Sequence, residues 1–524
     1  MTDTASENTY EQLAYPNWTH KETHPRQLEA TARLFGMNPA PVTRCKVLEL
    51  GCAAGWNLIP MAQSLPDSTF VGIDYSPSQI AEARALATEA GIGNVRLEQA
   101  DILDVDESWG QFDYIICHGI YSWVPAPVRE KILDICRNNL AADGVAFVSY
   151  NVYPGWHVRG MVRDMMLYHV TSEAEPLEQT TQARSILDLL AQNCPQGNTY
   201  GAILKHEAEQ VAGKSDAQLF HDQLEKVNYP VYFHQFMEQA DRSDLQYVTD
   251  TQFSHMPTRF LTKTAQEAMV NLDIIKQEQY LDFLLNRSFR RTLLCHTSQV
   301  LERIPHTDTM SGFNVSLAMP IEAGNINLDS GDPIRFKIGE LALANSEPIV
   351  KAAIKSLASS WPEGLLFEDL HATALTMLPT GSRVAYERDE AACRKKLANS
   401  LLMYRGVALV NVWLNPPPEM ACLPLPAAPI ALSLARLQAR QGNSVTNARH
   451  QQIKLDDVER QIVAALDGKH GRPELIKILQ DAAADEPGLA TPRGEILRVA
   501  NDEKLSQILE AALLRLRNSA LLIL

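Results

Sequence analysis

The apolar positions between Lys46 and Tyr150 follow two alternating rhythms. Short β-branched and aromatic runs appear at "KVLEL" (46–50), "TFVGID" (69–74), "NVRLEQ" (94–99), "FDYIIC" (112–117) and "GVAFVSY" (144–150). Helical spacing falls between most of them, including 77–90 and 126–140, and Gly91 and Gly144 sit where helices end. Strands alternating with helices predict a parallel sheet covered on both faces, the doubly wound α/β class. In such sheets ligands bind beyond the carboxyl ends of the strands.

Past "YNVYPGWH" a helix is predicted from about 157 to 170, followed by a mostly helical region, 171–240, without clear strands. "LQYVTD" (245–250) and "FRRTLLCH" (289–296) then read as the last two strands of the same sheet, which makes 171–240 a helical insertion. A segment of this kind serves as a lid or as a dimer contact, and both readings stay open. "GFNVSLAMP" (312–320) is a further strand. "EPIVKAAIKSLASSW", "FEDLHATALTML" and "RDEAACRKKLANSLLMYRG" turn helical, and the β run "VALVNVWLNPPP" closes them. Three helices and a β element outline a winged-helix module. The Pro-rich, low-charge stretch 415–430 reads as a linker, and the last 75 or so residues as another small helical module. The expected division is a core over 1–300, a winged-helix-like middle part over 301–415, a linker over 416–450 and a second such module over 451–524.

Bulk properties narrow the partners. A chain of 524 residues is too long for one core. With 47 basic and 63 acidic side chains the net charge is −16, which argues against general affinity for nucleic acid or anionic membrane. The first residues are polar, without an apolar leader, and no apolar run reaches the ~20 residues that span a bilayer. The eight cysteines are scattered, with no C-x-x-C and no zinc spacing. No metal and a cytoplasmic location are expected.

The loop after the first strand carries the chemistry. A dinucleotide fingerprint starting at Gly51 needs glycines at 53 and 56, where Ala53 and Trp56 stand, and a P-loop needs a Lys after Gly55. What is present is Glu49, Gly51, Ala53 and Gly55, an E-x-G-x-A-x-G run whose small residues let the backbone approach a ligand. Glu49 can face the ammonium of an amino-acid moiety. Asp74 ends the second strand and can accept both hydroxyls of a ribose. Asp101 follows the third strand and can accept from the exocyclic amine of a base. Acid, small loop, acid, acid in that order fits S-adenosylmethionine. The cofactor set expected around it also takes in Cys52, Asn57, Tyr75, Gln79, Ile102 and His118.

The fourth strand ends in "CHGIYSWVP" and the fifth in "YNVYPGWH", so both loops should converge on the transferred methyl group. They offer Tyr121, Trp123, Tyr150, Asn151, Tyr153, Trp156 and His157. No [DNS]-P-P-[YF] run for nucleobase amines is present, nor the carboxylate set of catechol enzymes. An aromatic, polar-tipped pocket suits a lysine side chain, whose ε-amine has a pKa of ~10.4 in water and must lose its proton before it attacks. Desolvation between aromatic walls lowers that pKa, and aromatic faces tolerate the cation that forms. The catalytic candidates are Tyr121, Trp123, Tyr153, Trp156 and His157. Plainer readings stand beside these: "SWVP" as a loop anchored by a buried Trp123, His118 bonded locally or lining the cofactor site, and "PGW" as a turn.

"LFGMNPAPV", "VLELGC", "NLIPMA", "HGIYSWVP", "YNVYPGWH", "RDMMLYH" and "YLDFLLNRSFRRTLLC" together resemble bacterial methyltransferases with an attached regulatory domain. They are similar to the rickettsial protein lysine methyltransferases that modify outer-membrane protein. The resemblance is strong over about 10–300 and looser over 310–524, with Ala53 standing where the family's pattern has a glycine. It implies a class I, Rossmann-like methyltransferase sheet with a helical insertion and mainly helical winged-helix-like carboxyl-terminal domains. It also implies a homodimer and a protein substrate, an envelope or outer-membrane protein among the candidates. By the same resemblance Tyr15, His24 and Pro25 cover the bound cofactor, although "NWTHKE" departs from the usual spacing. Three functions follow: a protein lysine methyltransferase, a small-molecule O- or N-methyltransferase, and a non-catalytic sensor of adenosylmethionine. The last needs a Lys/Arg-rich recognition helix that the chain lacks.

Overall fold

A computed structural model describes residues 13–523 apart from 14, 16, 196, 252–260, 304, 306, 323, 325, 329, 339–340, 417–423, 487, 491–495 and 498–499. Cys422 and residues 417–423 of the expected linker therefore lie outside the described residues, within which the remaining seven cysteines are free thiols.

The rhythm of the first third becomes a seven-stranded sheet. Its strands are β1 (Lys46–Leu50), β2 (Thr69–Asp74), β3 (Val95–Gln99), β4 (Phe112–Cys117), β5 (Leu140–Asn151), β6 (Leu245–Asp250) and β7 (Phe289–His296), in the order β3-β2-β1-β4-β5-β7-β6. The first five are parallel, and β7 runs antiparallel to both neighbours. The expectation of an all-parallel sheet is corrected at this edge. The chain returns from β6 through helices without crossing to the far end of the sheet, and a parallel neighbour would need that crossover.

Before the sheet lies α1 (Pro25–Leu34); α2 (Leu58–Ser64), α3 (Pro77–Ala90) and α4 (Ala126–Asn138) connect its strands. Local chemistry sets α3: Ser76 Oγ caps it by accepting from Gln79 N–H, Pro77 opens its first turn, and Gly91 ends it at φ +72°.

The insertion holds α5 (Gly155–His169), α6 (Pro176–Asn193), α7 (Thr199–Ala212) and the short α8 (Asp216–Leu219). Val162, Met166, Ala183, Leu187 and Leu204 form its own apolar cluster. Then come α9 (Phe233–Arg242), α10 (Lys263–Met269) and α11 (Ile274–Leu285). Although α9 begins within the stretch assigned to the insertion, Phe233, Phe236 and Ala240 pack on the sheet with Tyr121 and Tyr150. Arg290 of β7 is fully buried. It bonds Asp282 at 2.8 Å and Glu278 at 2.9 Å on α11 and lies over the Phe233 ring.

Beyond the sheet, β8 (Asn314–Leu317) pairs with β11 (Leu365–Leu366) and β12 (Val410–Trp413). The hairpin of β9 (Ile334–Ile338) and β10 (Leu341–Asn345) is an addition to the expected outline. The helices are α12 (Pro348–Ser360), α13 (Phe367–Met377), α14 (Thr380–Glu387) and α15 (Glu390–Gly406). The last part holds β13 (Ile430–Ala431), α16 (Ser433–Gln441), β14 (Ser444–Thr446), β15 (Gln452–Lys454), α17 (Asp457–Ala465), α18 (Arg472–Asp485), α19 (Asp502–Asn518) and β16 (Leu522–Ile523). Residues 430–446 thus belong to this module and not to a linker reaching 450. Ala431, Ala435, Ala439 and Val445 sit in its core with Leu455 and Leu509. Their spacing in "IALSLARLQAR" is helical, and the prolines just before it mask that period.

The amino-terminal segment is wedged between all these parts. Leu28 and Leu34 of α1 share one apolar cluster with Val47 and Phe70 of the sheet and with Ile349 and Leu397 beyond it. Lys21 Nζ donates to Asn411 Oδ1 at 2.6 Å, Arg405 donates to Thr31 Oγ1 at 2.7 Å and Asn415 Nδ2 donates to Glu29 at 3.0 Å.

Candidate active site

The loop after β1 is held by side chains. Gly51 (φ +72°) and Gly55 (φ +75°) take left-handed conformations that favour glycine. A Cβ on Gly51 would meet Ile120 Cδ1 at 2.4 Å, and one on Gly55 would meet Ile59 at 2.6 Å. These glycines make room for neighbouring side chains. Ala53 also has positive φ, +45°, which costs an L-residue on the order of 1–2 kcal/mol. The carboxylate of Asp74 offsets that strain. Its Oδ2 accepts from Ala53 N–H and its Oδ1 from Ser76 N–H, both at 2.9 Å. Cys52 is buried behind the loop, where burial pushes its thiol well up.

Glu49 is buried at the end of β1. Its Oε1 accepts from Asn57 Nδ2 at 2.6 Å, while Oε2 has no hydrogen-bond partner. Burial pushes its carboxyl up to about 7, opposed by the Asn57 hydrogen bond and reinforced by Asp74. A buried carboxylate oxygen without a partner costs energy until a donor meets it, so the residues present fit an α-ammonium. Asp74 pairs with Gln99 in the β2–β3 register, and Asp101 lies two residues further on. Asp101 Oδ1 caps the turn Ile102–Asp104 by accepting from Leu103 N–H at 2.9 Å, and Ile102 is half-buried there. Tyr75 is exposed beside it and Gln79 half-buried in the first turn of α3. The structure brings Glu49, the 51–57 loop, Asp74 and Asp101 to adjacent strand ends.

Tyr15 is placed elsewhere. Its hydroxyl donates to Asp222 at 3.3 Å and its ring meets His221 edge-on, both just past α8. His24 caps α1 and bonds Ser64 at 3.0 Å, and Pro25 opens that helix. The arm residues that close the loop are His20 and Thr23, which the sequence reading missed. His20 N–H donates to Asn57 Oδ1 at 2.9 Å, and Thr23 Oγ1 accepts from Asn57 Nδ2 at 3.0 Å. The His20 ring also packs against His118, tilted by 47° with ring centroids 3.8 Å apart. His118 bonds Ser149 Oγ at 3.0 Å, and burial pushes its imidazole well below the usual range, so it is neutral at pH 7.

On the other side, Tyr153 stacks on His157 with centroids 4.2 Å apart, and Trp123 meets Trp156 edge-on at 6.3 Å. Tyr232, which sequence reasoning did not select, bonds His157 Nε2 at 3.1 Å. Tyr153, Trp156 and His157 line an open cavity of about 820 Å³, walled by Met161, Asp164 and Tyr168 of α5 and by Ile186 and Leu190 of α6. Tyr121 does not join them, against expectation. It is fully buried, packs on Phe236 and donates to Gln239 Oε1 at 2.5 Å. Tyr150 is likewise in the core, stacked on Phe236 and bonded to Thr292. Asn151 is buried, with its amide on Asn228. No group of three His, Cys, Asp or Glu that could hold a metal ion occurs among the described residues.

A doubly wound sheet with an inserted antiparallel seventh strand, an acid-flanked loop after β1 and acids after β2 and β3 define a class I, S-adenosylmethionine-dependent methyltransferase. Comparison with known families agrees: "Methyltransferase domain" matches residues 42–220, "Predicted methyltransferase regulatory domain" 215–296 and "PKMT, C-terminal winged helix domain" 428–521. An uncharacterized protein of Rickettsia prowazekii, RP789, is 32% identical over 97% of this chain and 91% of its own length. A second, RP028, is 38% identical over 45% of this chain and 94% of its own. Among solved structures, PKMT2 from Rickettsia typhi superposes with a TM-score of 0.84 at 29% identity. It covers 97% of this chain and 100% of that one, and it has also been solved in complex with AdoHcy. The chain belongs to the family of these rickettsial methyltransferases, and its methyltransferase, regulatory and PKMT winged-helix segments follow one another in that order.

Proposed function

We propose that this methyltransferase acts on lysine side chains of a protein. The observation that carries the reading is the open aromatic cavity that follows β5, built by Tyr153, Trp156 and His157, with Tyr232 bonded to His157. The methyl donor supplies an electrophilic carbon. The acceptor amine forms the new N–C bond as the S–C bond breaks, and the proton leaves the nitrogen for water or a nearby base. Aromatic walls favour the neutral amine beforehand and face the N-methyl cation afterwards. Alignment of nitrogen, methyl and sulfur supplies most of the acceleration. An open mouth suits an acceptor carried on a macromolecule. The name PKMT of the family's winged-helix domain and of the solved relative supports the same reading. Glu49, Asp74 and Asp101 hold the cofactor in this scheme.

The test is incubation with radiolabelled S-adenosylmethionine and a host lysate that includes the envelope fraction. Label in one or a few protein bands, recovered as methyl-lysine after hydrolysis, is the expected result. Label confined to small molecules overturns it in favour of a metabolite methyltransferase. We also propose a homodimer through the insertion, which exposes Leu177 and Leu189; light scattering at twice the chain mass checks it. Among the described residues no helix is long and apolar enough to cross a membrane.

A further inference from the structure

His450 sits 393 residues beyond the loop that it touches. It lies in the turn between β14 and β15, is 2% exposed and has φ +57°. That turn is rigid. Asn447 Oδ1 accepts from Arg449 N–H at 3.0 Å and from Gln451 N–H at 2.8 Å, and Asn447 Nδ2 donates to Ser519 O at 2.9 Å, just past α19. From it, His450 Nε2 reaches Asn57 Oδ1 at 2.9 Å.

The hydrogen-bond inventory fixes both side chains. His20 N–H is a donor, so the Asn57 atom that it meets is the oxygen. His450 must then carry its proton on Nε2 and donate to that oxygen. The Asn57 amide hydrogens go to Glu49 Oε1 and Thr23 Oγ1. Thr23 Oγ1 also stands 3.3 Å from the amide oxygen, but its proton has a shorter partner in His20 O at 2.8 Å. Two donors on the oxygen and two acceptors on the nitrogen then use every valence of the amide. With its orientation locked, Asn57 occupies Oε1 of Glu49 and leaves Oε2 for a ligand. Gln63 and Ser433, bonded at 2.7 Å, and Ser433 with Ala90 O at 2.8 Å brace the same junction.

We propose that His450 is a positioning residue of the cofactor site, through which docking of the carboxyl-terminal module and binding of the cofactor strengthen one another. The proposal rests on the reading of Glu49 as the partner of the cofactor's ammonium. Linkage makes the effect reciprocal: what the docked module adds to cofactor affinity, the cofactor adds to docking. Without the His450 donor the amide oxygen loses one of its holds and keeps the His20 N–H, so Asn57 sets its amide less firmly against the Glu49 carboxylate. His450 is itself pushed down to about 3 by burial, with His20 and Arg26 adding to it, and stays neutral over the working range. Its other neighbour is His24. Around Glu49 stand Asp74 and the Cys52 and Cys117 thiols.

The experiment is calorimetry of S-adenosylhomocysteine binding to the full chain between pH 6 and 8. His450→Phe keeps the volume and removes the donor; His450→Gln restores an N–H. The Phe variant is expected to bind roughly fivefold or more weakly, with the acid limb of its affinity profile moved to higher pH, and the Gln variant to recover most of both. A merely structural role would leave the limb in place. Asp74→Ala separates the two readings. If it and Glu49→Gln bind normally, the cofactor site is wrong. If they bind weakly while His450→Phe matches the unaltered protein, the His450 proposal alone is overturned. Should the Phe variant fail to fold, hydrogen exchange in the unaltered chain decides. Protection over 445–453 that rises on adding S-adenosylhomocysteine supports the coupling, and unchanged protection ends it.

Discussion

The two sides of the strand ends are built on opposite plans. On the cofactor side the polar contacts around the loop are closed, and Glu49 Oε2 alone is left open for a ligand's donor. Asn57 uses all its valences, Asp74 holds both the loop and the start of α3, and segments from both ends of the chain cover the loop. On the side proposed for the acceptor aromatic faces line a wide, open cavity. A small cofactor that is met identically in every turnover rewards a preformed site, whereas an acceptor arriving on another molecule needs an entrance. The difference also separates what breaks the fold from what breaks the chemistry.

The largest contrast is between two tyrosines 32 residues apart. Tyr121→Ala removes a fully buried ring and should cost about 3–5 kcal/mol in urea denaturation. Tyr153→Ala, at the cavity wall, should leave the midpoint nearly unchanged. Equal destabilisation by both would erase the distinction drawn here. Next in size, Asp74→Ala should weaken S-adenosylhomocysteine binding by about 1–3 kcal/mol in calorimetry, through lost hydrogen bonds and a released Ala53. Smaller again, Tyr153→Ala and His157→Ala should lower turnover roughly tenfold or more through acceptor alignment, with cofactor affinity unaltered. A drop in affinity instead would move both residues to the cofactor side.

The same contrast governs what the sequence could reveal. The strands were legible because an apolar β-branched run must be buried, and Glu49, Asp74 and Asp101 were legible because each strand end fixes where its acid emerges. Tyr121 was misread because an aromatic residue in a strand-end loop resembles a site residue; the helix that covers it, α9, arrives over 100 residues later. Tyr232 and His450 come from distant segments, and no local spacing encodes the contacts they make. Tyr15 was carried by resemblance from a family pattern whose spacing differs here, and the arm turns His20 and Thr23 to the loop instead.

The smallest expected effect is also the most specific, because it reads one carboxyl group. Glu49 sits near 7, above its ordinary 4.5, because burial disfavours the charged form. A raised carboxyl stabilises the fold when protonated, so this contribution is fully present below about 4.5 and lost as pH rises through 7. An ammonium on Oε2 reverses that loss. The rise in Tm produced by S-adenosylhomocysteine should therefore grow between pH 5 and 7. Its affinity should hold a plateau only up to ~7.8, where an α-ammonium begins to lose its proton. Glu49→Gln should bind more weakly but without the acid limb, since no group remains there to titrate. A variant that kept the limb would assign it to another residue and leave Glu49 a packing role, and the cofactor side would then owe its affinity to Asp74 and Asp101.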